Sequence, residues 1–219
     1  RQGAGRVYVC LLGESDIRLD PVQPELMFRS IAQPWDWQAG QVAVVGCGGG
    51  QAVAGVLPAV FAGVGRLVLD ADGLNAVAAD PGLRRALTAR TGRGAATVLT
   101  PHPLEAARLL GTGTAEVQAD RLHAAQALAD QLQSVVVLKG SGTVVAAPGE
   151  VPAINFSGNA LLATAGTGDV LAGMVGAAMA RGQGTREAAL HAVHLHGAKA
   201  EAWALAHPRR LLCASDLLR

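Results

Sequence analysis

Short apolar runs, rich in β-branched residues, recur along this chain and alternate with segments of helical length. A strand that is buried on both faces reads as an unbroken apolar run. Six runs fit this description: Val7–Leu12, Val42–Val45, Leu67–Leu69, Ala96–Leu99, Val135–Leu138 and Thr143–Ala146. Strands that alternate with helices form parallel sheets covered on both faces. We therefore predict an α/β fold, a three-layer sandwich with a mostly parallel central sheet, in a single domain spanning residues 1–219.

The segments between these runs carry signals for helix starts and ends. Asp80 followed by Pro81 is typical of an N-cap and a first helical position. Val170–Ala180 is apolar on every side and rich in Gly and Ala, which predicts a buried helix against which other backbones pack. The remaining helix candidates are Ala52–Phe61, Leu83–Arg90, Leu104–Leu110, Ala115–Leu132 and Glu187–Leu205.

Composition excludes several classes of protein. Apolar residues make up 50% of the chain but aromatic residues only 3%, so Ala, Val and Leu must form the core. The formal net charge is +1 and no basic run exceeds two residues, which argues against a nucleic-acid-binding surface. Three cysteines without a C-x-x-C pair indicate no disulfide framework and fit a reducing cytoplasm.

Residues 37–65 resemble a membrane-spanning segment, because they include no charged residue. Eight glycines and a proline divide this segment into a strand, a glycine loop and a short helix. A buried strand gives the same apolar signal as part of a membrane helix. We therefore expect no membrane span and no membrane partner.

The strongest functional signal is the small-residue stretch Ala163–Asp169, which leads directly into the apolar helix candidate. Small residues before a helix leave backbone N–H groups bare, and these amides together with the helix dipole can hold a phosphoryl group. Asp169 would repel an anion there unless it takes or orients a proton from an attacking hydroxyl. The pattern favours phosphoryl transfer to an alcohol with Asp169 as base. An ordinary N-cap in a glycine-rich turn is the structural alternative.

Four further groups of glycines and polar residues follow strand candidates, where open parallel sheets place their ligands. They are the glycine loop Gly46–Gly50, the acidic segment Leu69–Asn75, the proline-flanked segment Thr100–Glu105 and the lysine segment Lys139–Thr143. The glycine loop lacks the sixth-position Gly of a dinucleotide-binding fingerprint, because Gln51 stands there. The structural alternatives for the four groups are, in this order, a tight turn, an Asx-turn with a helix cap, a strand-to-helix turn and an ordinary hairpin.

The side chains in these groups suit different ligands. Asp70, Asp72 and Asn75 can hold hydroxyl groups or, through water, Mg²⁺. Two prolines fix the backbone around His102, so that its ring can be aimed with little loss of entropy. Lys139 suits a nucleotide phosphate or ribose. Asn159 stands just ahead of the anion-binding stretch, where its amide can order a loop.

Three histidines, His191, His194 and His196, imitate a metal site. The first two share a helix face, but His196 points elsewhere, and no Cys or acid completes a tetrahedral set. We therefore expect core or surface histidines rather than metal ligands.

Several segments taken together resemble the ADP/ATP-dependent NAD(P)H-hydrate dehydratases, members of the ribokinase-like superfamily. They are Gly3–Val9, Gly46–Gly50, Leu69–Asn75, Thr100–Gly111, Val136–Ala146, Asn155–Met174 and, near the end, LHGAKAE and ASDLL. The combination is far more specific than any one segment. The T-P-H-P-x-E element together with the A-G-T-G-D-V-L loop narrows the resemblance to the dehydratase branch. It implies a ribokinase-like fold.

The resemblance implies an enzyme that repairs nicotinamide cofactors whose reduced ring has been hydrated. Such an enzyme phosphorylates the new hydroxyl from ADP or ATP, with Mg²⁺, and phosphate then leaves as the ring double bond returns. The overall reaction is that of a carbon–oxygen lyase. A ribokinase-like kinase of a vitamin-precursor alcohol is one alternative, and a nucleotide-binding module without turnover is another.

The expected site residues fall into three sets. Asp169 is the expected catalytic residue, and Glu105 falls where related kinases organise Mg²⁺ and phosphates. The expected contacts to the hydrated cofactor come from Gly48, Asp72, Asn75, His102 and Asp169. The expected contacts to the nucleotide come from Lys139, Gly140, Ser141, Gly142, Thr143, Asn159, Gly166, Thr167 and Gly168.

The chain departs from the family pattern at two motifs and at its start. Leu104 replaces the usual Gly of T-P-H-P-G-E, and Cys47 and Gly49 replace the Pro and Leu of G-P-G-L-G. The family's opening strand and its glycine-rich loop, expected before Gly3, are absent, so we expect an N-terminally truncated domain. Many family members carry a fused N-terminal epimerase domain, so we also expect an NAD(P)H-hydrate epimerase as a fused or separate partner. We further expect a homo-oligomer.

Overall fold

The computed structural model describes residues 2–13, 15–30 and 41–218, and these confirm the predicted α/β fold. The strands are β1 (Tyr8–Val9), β2 (Met27–Phe28), β3 (Val42–Val45), β4 (Arg66–Leu69), β5 (Ala96–Leu99), β6 (Val135–Leu138), β7 (Val144–Ala146) and β8 (Ala153–Ile154). The helices are α1 (Val53–Gly63), α2 (Ala71–Ala79), α3 (Pro81–Thr88), α4 (Pro103–Leu110), α5 (Thr114–Ala119), α6 (Arg121–Leu132), α7 (Thr167–Ala180) and α8 (Thr185–Ala206).

The central sheet has six strands in the order β3-β4-β5-β6-β7-β8. The strands β3 to β6 pair in parallel, and β7 and β8 are added antiparallel. Parallel neighbours need a crossover that is long enough for a helix, whereas antiparallel neighbours need only a tight turn. The strands β1 and β2 form a separate parallel pair. The carboxyl ends of four strands therefore lie at one edge of the central sheet.

Helices cover both faces of this sheet, as the sequence predicts. Successive side chains on a strand point to opposite faces, and in β4 Leu67 and Leu69 face one core while Val68 faces the other. The first core is formed with α1 to α6, and the second with α7 and α8. Both cores consist mainly of Ala, Val and Leu, in keeping with the low aromatic content.

The apolar helix α7 packs very closely on the sheet. A Cβ atom placed on Gly176 would lie 2.5 Å from Cγ2 of Val44 on β3. Leu171, Val175 and Met179 of the same helix are buried. The prediction of a buried helix in this region is confirmed, although α7 begins three residues earlier, at Thr167.

The predicted long helix Ala115–Leu132 is wrong, because the structure divides it at Asp120 into α5 and α6. Asp120 leaves helical geometry, with φ −141° and ψ 83°. Its side chain accepts a hydrogen bond from the backbone N–H of His123 at 2.9 Å. A carboxylate that caps a new helix in this way satisfies orphan amides and restarts the helix in a new direction.

One helix and two short strands lie outside the predicted elements. The helix α2 begins just after β4, inside the acidic segment Leu69–Asn75. The strands β2 and β8 have only two residues each, too few for a period-2 pattern to be recognised. The first predicted strand, Val7–Leu12, is reduced to Tyr8–Val9.

The charge-free segment forms the predicted strand, glycine loop and helix. Its first four residues, 37–40, lie outside the described residues, and the remainder forms β3, the loop and α1. In the described part of the chain, no helix combines the length and the apolar character needed to cross a bilayer.

Candidate active site

The carboxyl ends of β3 to β6 lie side by side at one edge of the sheet, close to the start of α7. Ligands of open parallel sheets bind at such an edge. The structure brings together there the glycine loop, the acidic segment, the lysine segment and the small-residue stretch. The following contacts join them.

The glycine loop after β3 lies directly against the end of β4. A Cβ atom on Gly46 would lie 1.9 Å from the carbonyl oxygen of Asp70, and φ at Gly46 is +116°, so only glycine fits. The carboxylate of Asp72 accepts a hydrogen bond from the backbone N–H of Gly50 at 2.8 Å. Gly48 is exposed, and no atom lies within 4 Å of the position that its Cβ would take. Asp72 therefore orders the loop, while Gly48 leaves open space for a ligand.

Asp70 and Lys139 form an ion pair that joins the ends of β4 and β6. The Lys139 Nζ atom lies 2.7 Å from Asp70 Oδ1, and the Asp70 side chain is only 1% exposed. A carboxylate buried to this degree needs a charged partner, because burial without one is costly. The Lys139 Nζ atom also lies 3.4 Å from the position that a Cβ on Gly168 would take. Lys139 therefore stands between the buried carboxylate and the start of α7.

The lysine segment connects β6 to β7 as a tight hairpin, which is the structural alternative weighed from the sequence. Gly140 and Gly142 have positive φ angles of +139° and +64°. Arg121, at the start of α6, donates hydrogen bonds from Nη2 to three carbonyl oxygens of the hairpin, those of Leu138, Lys139 and Gly142. Burial lowers the pKa of Arg121. The guanidinium therefore fixes the hairpin that carries the predicted nucleotide contacts.

His102 and Glu105 form a reciprocal cap at the start of α4. The His102 Nδ1 atom accepts hydrogen bonds from the backbone N–H groups of Leu104 and Glu105, at 3.1 and 3.3 Å. In return, Glu105 Oε2 accepts from the His102 N–H at 2.8 Å, and Glu105 Oε1 lies 3.3 Å from His102 Nε2. Since Nδ1 accepts, the neutral ring carries its proton on Nε2. Both Glu105 oxygens thus contact His102. These contacts hold the His102 ring in one orientation, and the ring is half-exposed to solvent.

The start of α7 has the features of an anion site. Gly166 is the N-cap residue with φ +83°, and in the described part of the chain no side chain caps this end. The first amides of a helix lack partners within the helix, and the helix dipole is positive there. The Thr167 hydroxyl is already used, because it donates to the carbonyls of Leu162 and Thr164 at 2.7 and 2.8 Å. The Thr167 N–H also has a partner, the carbonyl of Thr164 at 3.4 Å, so the other amides of this first turn, rather than Thr167, are available to a phosphoryl group.

Asp169 lies in the first turn of α7 and is exposed. One carboxylate oxygen of Asp169, one of Asp70 and the Sγ atom of Cys47 all lie within 4.8 Å of one another. Burial of the thiol, together with the negative charges of Asp70 and Asp169, raises the pKa of Cys47 to about 12. Cys47 is therefore a neutral thiol at physiological pH. The predicted base thus stands open to solvent on one side and beside a buried carboxylate on the other.

Two predicted site residues already have partners on neighbouring elements. Asn75, on α2, accepts a hydrogen bond from Arg108 of α4 at 2.7 Å. Asn159 accepts from the backbone N–H of Leu161 and donates to the carbonyl of Ala200 on α8, both at 3.0 Å. Asn159 therefore orders the loop before α7, as its position in the sequence suggests.

The three histidines of α8 are core and surface residues, as expected. His191 is exposed and hydrogen-bonds Gln183, and His194 is also exposed. His196 is buried, and its Nε2 lies 3.0 Å from the carbonyl oxygen of Thr167, to which it must donate. Burial lowers the pKa of His196.

The roles of three residues do not follow from the sequence. The pairing of Asp70 with Lys139 depends on the order of the strands. Arg121 carries no local signal of its contact with the hairpin. The presence of Cys47 in the glycine loop is a signal, but its meaning depends on the neighbouring carboxylates.

Comparison with known proteins agrees with this geometry. A model of the family described as NAD(P)H-hydrate dehydratase (Carb_kinase) matches residues 1–218. The ADP-dependent (S)-NAD(P)H-hydrate dehydratase of Neisseria meningitidis is 45% identical over 186 residues, which cover 81% of this chain and 60% of that protein. The bifunctional NAD(P)H-hydrate repair enzyme Nnr of Escherichia coli is 38% identical over 224 residues, which cover 99% of this chain and 41% of that protein.

A solved structure of an NAD(P)H-hydrate dehydratase has the same fold. The crystal structure of the ADP/ATP-dependent NAD(P)H-hydrate dehydratase from Bacillus subtilis, co-crystallised with ATP and Mg²⁺, superposes with a TM-score of 0.68 and 31% identity. The match covers 90% of this chain and 70% of that one. The chain spans 60% and 41% of the length of the two curated relatives above. Since the family model extends over nearly the whole sequence, this chain belongs to the NAD(P)H-hydrate dehydratase family.

Proposed function

We propose that this chain catalyses the ADP- or ATP-dependent dehydration of hydrated NAD(P)H back to NAD(P)H, as a carbon–oxygen lyase. The observation that carries the proposal is the exposed carboxylate of Asp169 in the first turn of α7, beside Lys139 and uncapped helix amides. An acid at an anion site is unfavourable unless it handles a proton during phosphoryl transfer. The names of the relatives and of the structural neighbour support the same reaction.

The nucleotide is assigned to the hairpin after β6 and to the start of α7. Lys139 and the amides from Gly166 to Gly168 meet the transferred phosphoryl group, while Gly140, Ser141, Gly142 and Thr143 line the approach to it. Arg121 holds this hairpin in place through three carbonyl contacts. Asn159 acts through the loop that it orders before α7.

When bound, Mg²⁺ would neutralise the charge that develops on the transferred phosphoryl group. It keeps several of its waters and binds through phosphates and few carboxylates. The open edge of the sheet suits a hydrated ion of this kind. We assign Glu105 to it indirectly, since both oxygens of Glu105 already contact His102.

The hydrated cofactor is assigned to the neighbouring ends of β3 to β5. Gly48 leaves open space, and His102 offers the exposed side of a ring that two backbone amides and Glu105 hold in place. Asp72 and Asn75 support the same side of the site, because their contacts order the glycine loop and join α2 to α4.

The chemistry proceeds in two steps. In the first, Asp169 accepts the proton of the ring hydroxyl as the hydroxyl oxygen attacks the terminal phosphorus, and the bond from that phosphorus to the nucleotide breaks. The helix amides and Lys139 stabilise the charge on the phosphoryl oxygens. In the second step the ring C–O bond breaks, phosphate leaves with the electron pair, and the adjacent ring carbon loses a proton as the double bond forms.

The direct test is to incubate the protein with hydrated NADH or NADPH and each nucleotide. We expect the absorbance of the reduced nicotinamide to return while one phosphate is released per turnover. A phosphorylated alcohol that accumulates without release of phosphate would instead identify a small-molecule kinase. Nucleotide binding without either product would identify a binding module.

Asp169→Asn tests the assignment of the base. This variant keeps the size of the side chain but cannot accept the hydroxyl proton, so turnover should fall at least ~10²-fold. Nucleotide affinity, measured by calorimetry, should stay near that of the unchanged protein. Turnover that stays near normal in this variant would rule out Asp169 as the base.

Three expectations from the sequence accompany this proposal. We propose a cytoplasmic enzyme that works with an NAD(P)H-hydrate epimerase, and the bifunctional description of the E. coli relative supports such a partner. We also propose a homo-oligomer, which sedimentation analysis of the purified chain would test.

A further inference from the structure

We propose that Cys47, Asp70 and Asp169 form a binding site for a borderline-soft divalent cation such as Zn²⁺ or Cd²⁺. Occupation of this site would take the Asp169 carboxylate away from catalysis. Inhibition of turnover by the cation rests on the proposed function, whereas binding of the cation does not. The two effects are measured separately below.

The three side chains come from three different elements and converge on one point. Cys47 follows β3, Asp70 follows β4 and Asp169 lies in α7, and one ligand atom of each lies within 4.8 Å of the others. Zinc bonds of about 2.0–2.3 Å in a tetrahedral site put two ligand atoms roughly 3.5 Å apart. Contraction of about 1 Å, which side-chain rotation can supply, would therefore bring all three onto one ion.

The second carboxylate oxygen of Asp70 is poorly satisfied. Oδ1 accepts the short hydrogen bond from Lys139 at 2.7 Å, whereas the contact to Oδ2 is the long one from the Cys47 thiol at 3.9 Å. Among the described residues, no backbone N–H of α2 caps this side chain. Buried carboxylate oxygens normally accept short hydrogen bonds. An oxygen that is buried, weakly partnered and directed at the thiol is suited to a cation.

The electrostatics of the cluster favour a dication. Two carboxylates, those of Asp70 and Asp169, face the one ammonium group of Lys139, so these three side chains together carry a net negative charge. When a dication binds, the thiol proton passes to solvent and the sulfur becomes a thiolate ligand. Lys139 can keep its bond to Oδ1, since the cation uses Oδ2. The exposed side of Asp169 gives the ion a path from solvent.

The donor set separates this site from the Mg²⁺ of the nucleotide. One sulfur and two carboxylate oxygens suit Zn²⁺ or Cd²⁺, whereas Mg²⁺ takes oxygen ligands and keeps its waters.

Titration with Cd²⁺ tests the proposal, since a thiolate bound to Cd²⁺ gives an ultraviolet charge-transfer band. We expect one Cd²⁺ per chain, with the band, and no displacement by excess Mg²⁺. Cys47→Ser should lose the band and bind at least ~10-fold more weakly, since even the loss of an outer-shell partner costs that much. Cys213→Ser, which changes an exposed thiol, is the matched control and should behave like the unchanged protein.

Asp169→Asn provides a second variant that leaves the thiol in place. It should keep a weaker band, because one carboxylate ligand is lost, and circular dichroism would establish that each variant is folded. A band that persists in Cys47→Ser, or Cd²⁺ affinity that neither variant changes, would overturn the proposal. Cd²⁺ binding that does not slow turnover would instead contradict the role of Asp169, whereas normal turnover without Cd²⁺ binding would reject only the cation site.

Discussion

At the scale of single residues, Lys139 has the most demanding position in the site. Its ammonium group must neutralise the buried Asp70 and also stand at the start of α7. A buried pair is poor evidence of net stabilisation, but removal of one partner leaves an uncompensated buried charge. The structural and the functional effects of Lys139 can therefore be separated by a double variant.

Lys139→Met should lower the free energy of unfolding by roughly 3 kcal/mol, because it leaves the Asp70 carboxylate buried without its cation. Urea denaturation monitored by circular dichroism would measure this loss. The double variant Asp70→Asn with Lys139→Met should recover most of it, while nucleotide binding stays weak in both proteins. Equal losses of stability in the single and double variants would show that the buried charge is not the cause.

Local patterns predict single residues where the signal is contained in one segment. Asp169 at a helix start and Lys139 at a strand end are recognised in this way. The pairing of Lys139 with Asp70, 69 positions away, depends on the order of β4, β5 and β6 in the sheet. The contact of Arg121 with the hairpin depends on the path of α6, which no local pattern encodes.

At the scale of elements, the contact between α7 and α8 links the candidate site to a buried imidazole. His196 of α8 donates to the carbonyl oxygen of Thr167 in the first turn of α7. Burial is the main cause that lowers its pKa below the ordinary value of 6.5, and the hydrogen bond to Thr167 opposes this only in part. A second ring proton would place an unpaired charge between the two helices.

Acid should therefore destabilise the packing of α8 against α7. The unfolded chain binds a proton at His196 near pH 6.5, whereas the folded chain binds it only at lower pH, so stability is lost as pH falls from 6.5 towards the folded value. His196→Gln should flatten this part of the stability profile in urea denaturation. His194→Gln, at an exposed position of the same helix, is the control and should leave the slope unchanged.

Two glycines of α7 offer a matched test of its packing on the sheet. Gly176→Ala should destabilise the fold by about 1–3 kcal/mol, because the new Cβ would lie 2.5 Å from the stiff side chain of Val44. Gly173→Ala should stabilise it by roughly 0.5–1 kcal/mol, since its Cβ would meet no atom within 4 Å and Ala is a better helix former. Thermal unfolding of both variants would measure the contrast, and similar shifts would contradict the close approach of α7 to β3.

Helices and strands are predictable where an apolar run in the sequence ends at a clear turn or polar residue. The strands β3, β5 and β6 match their predicted bounds, since each is a short, mainly apolar run ended by a turn or a polar residue. The break between α5 and α6 is missed because an apolar stripe runs across Asp120. The helix α2 is missed because its first turn carries the acid and glycine that also mark a strand-end loop.

At the scale of the whole molecule, the candidate site draws on both layers of helices. The helices α2 and α4, whose starts lie at the site, belong to the layer on one face of the sheet. The helix α7 belongs to the layer on the other face. A nucleotide bound at this edge would therefore contact elements from both hydrophobic cores. Its binding should stabilise the molecule as one unit rather than one loop.

Nucleotide with Mg²⁺ should therefore raise the midpoint of thermal unfolding. At a concentration about 100 times Kd, binding contributes about 2.7 kcal/mol, which corresponds to roughly 5–10 °C for a chain of this size. Asp169→Asn should show the same shift, because Asp169 is assigned to the hydroxyl rather than to the nucleotide. Differential scanning calorimetry at several nucleotide concentrations would measure the effect, and a midpoint independent of concentration would contradict nucleotide binding.

The close approach at Gly46 has a consequence for how this chain can be altered. Its α-carbon sits so near the Asp70 peptide that any larger residue would push β4 away from its neighbour. That displacement would reach the buried carboxylate and the lysine together. In a library randomised at this codon and selected only for folded protein, glycine should return.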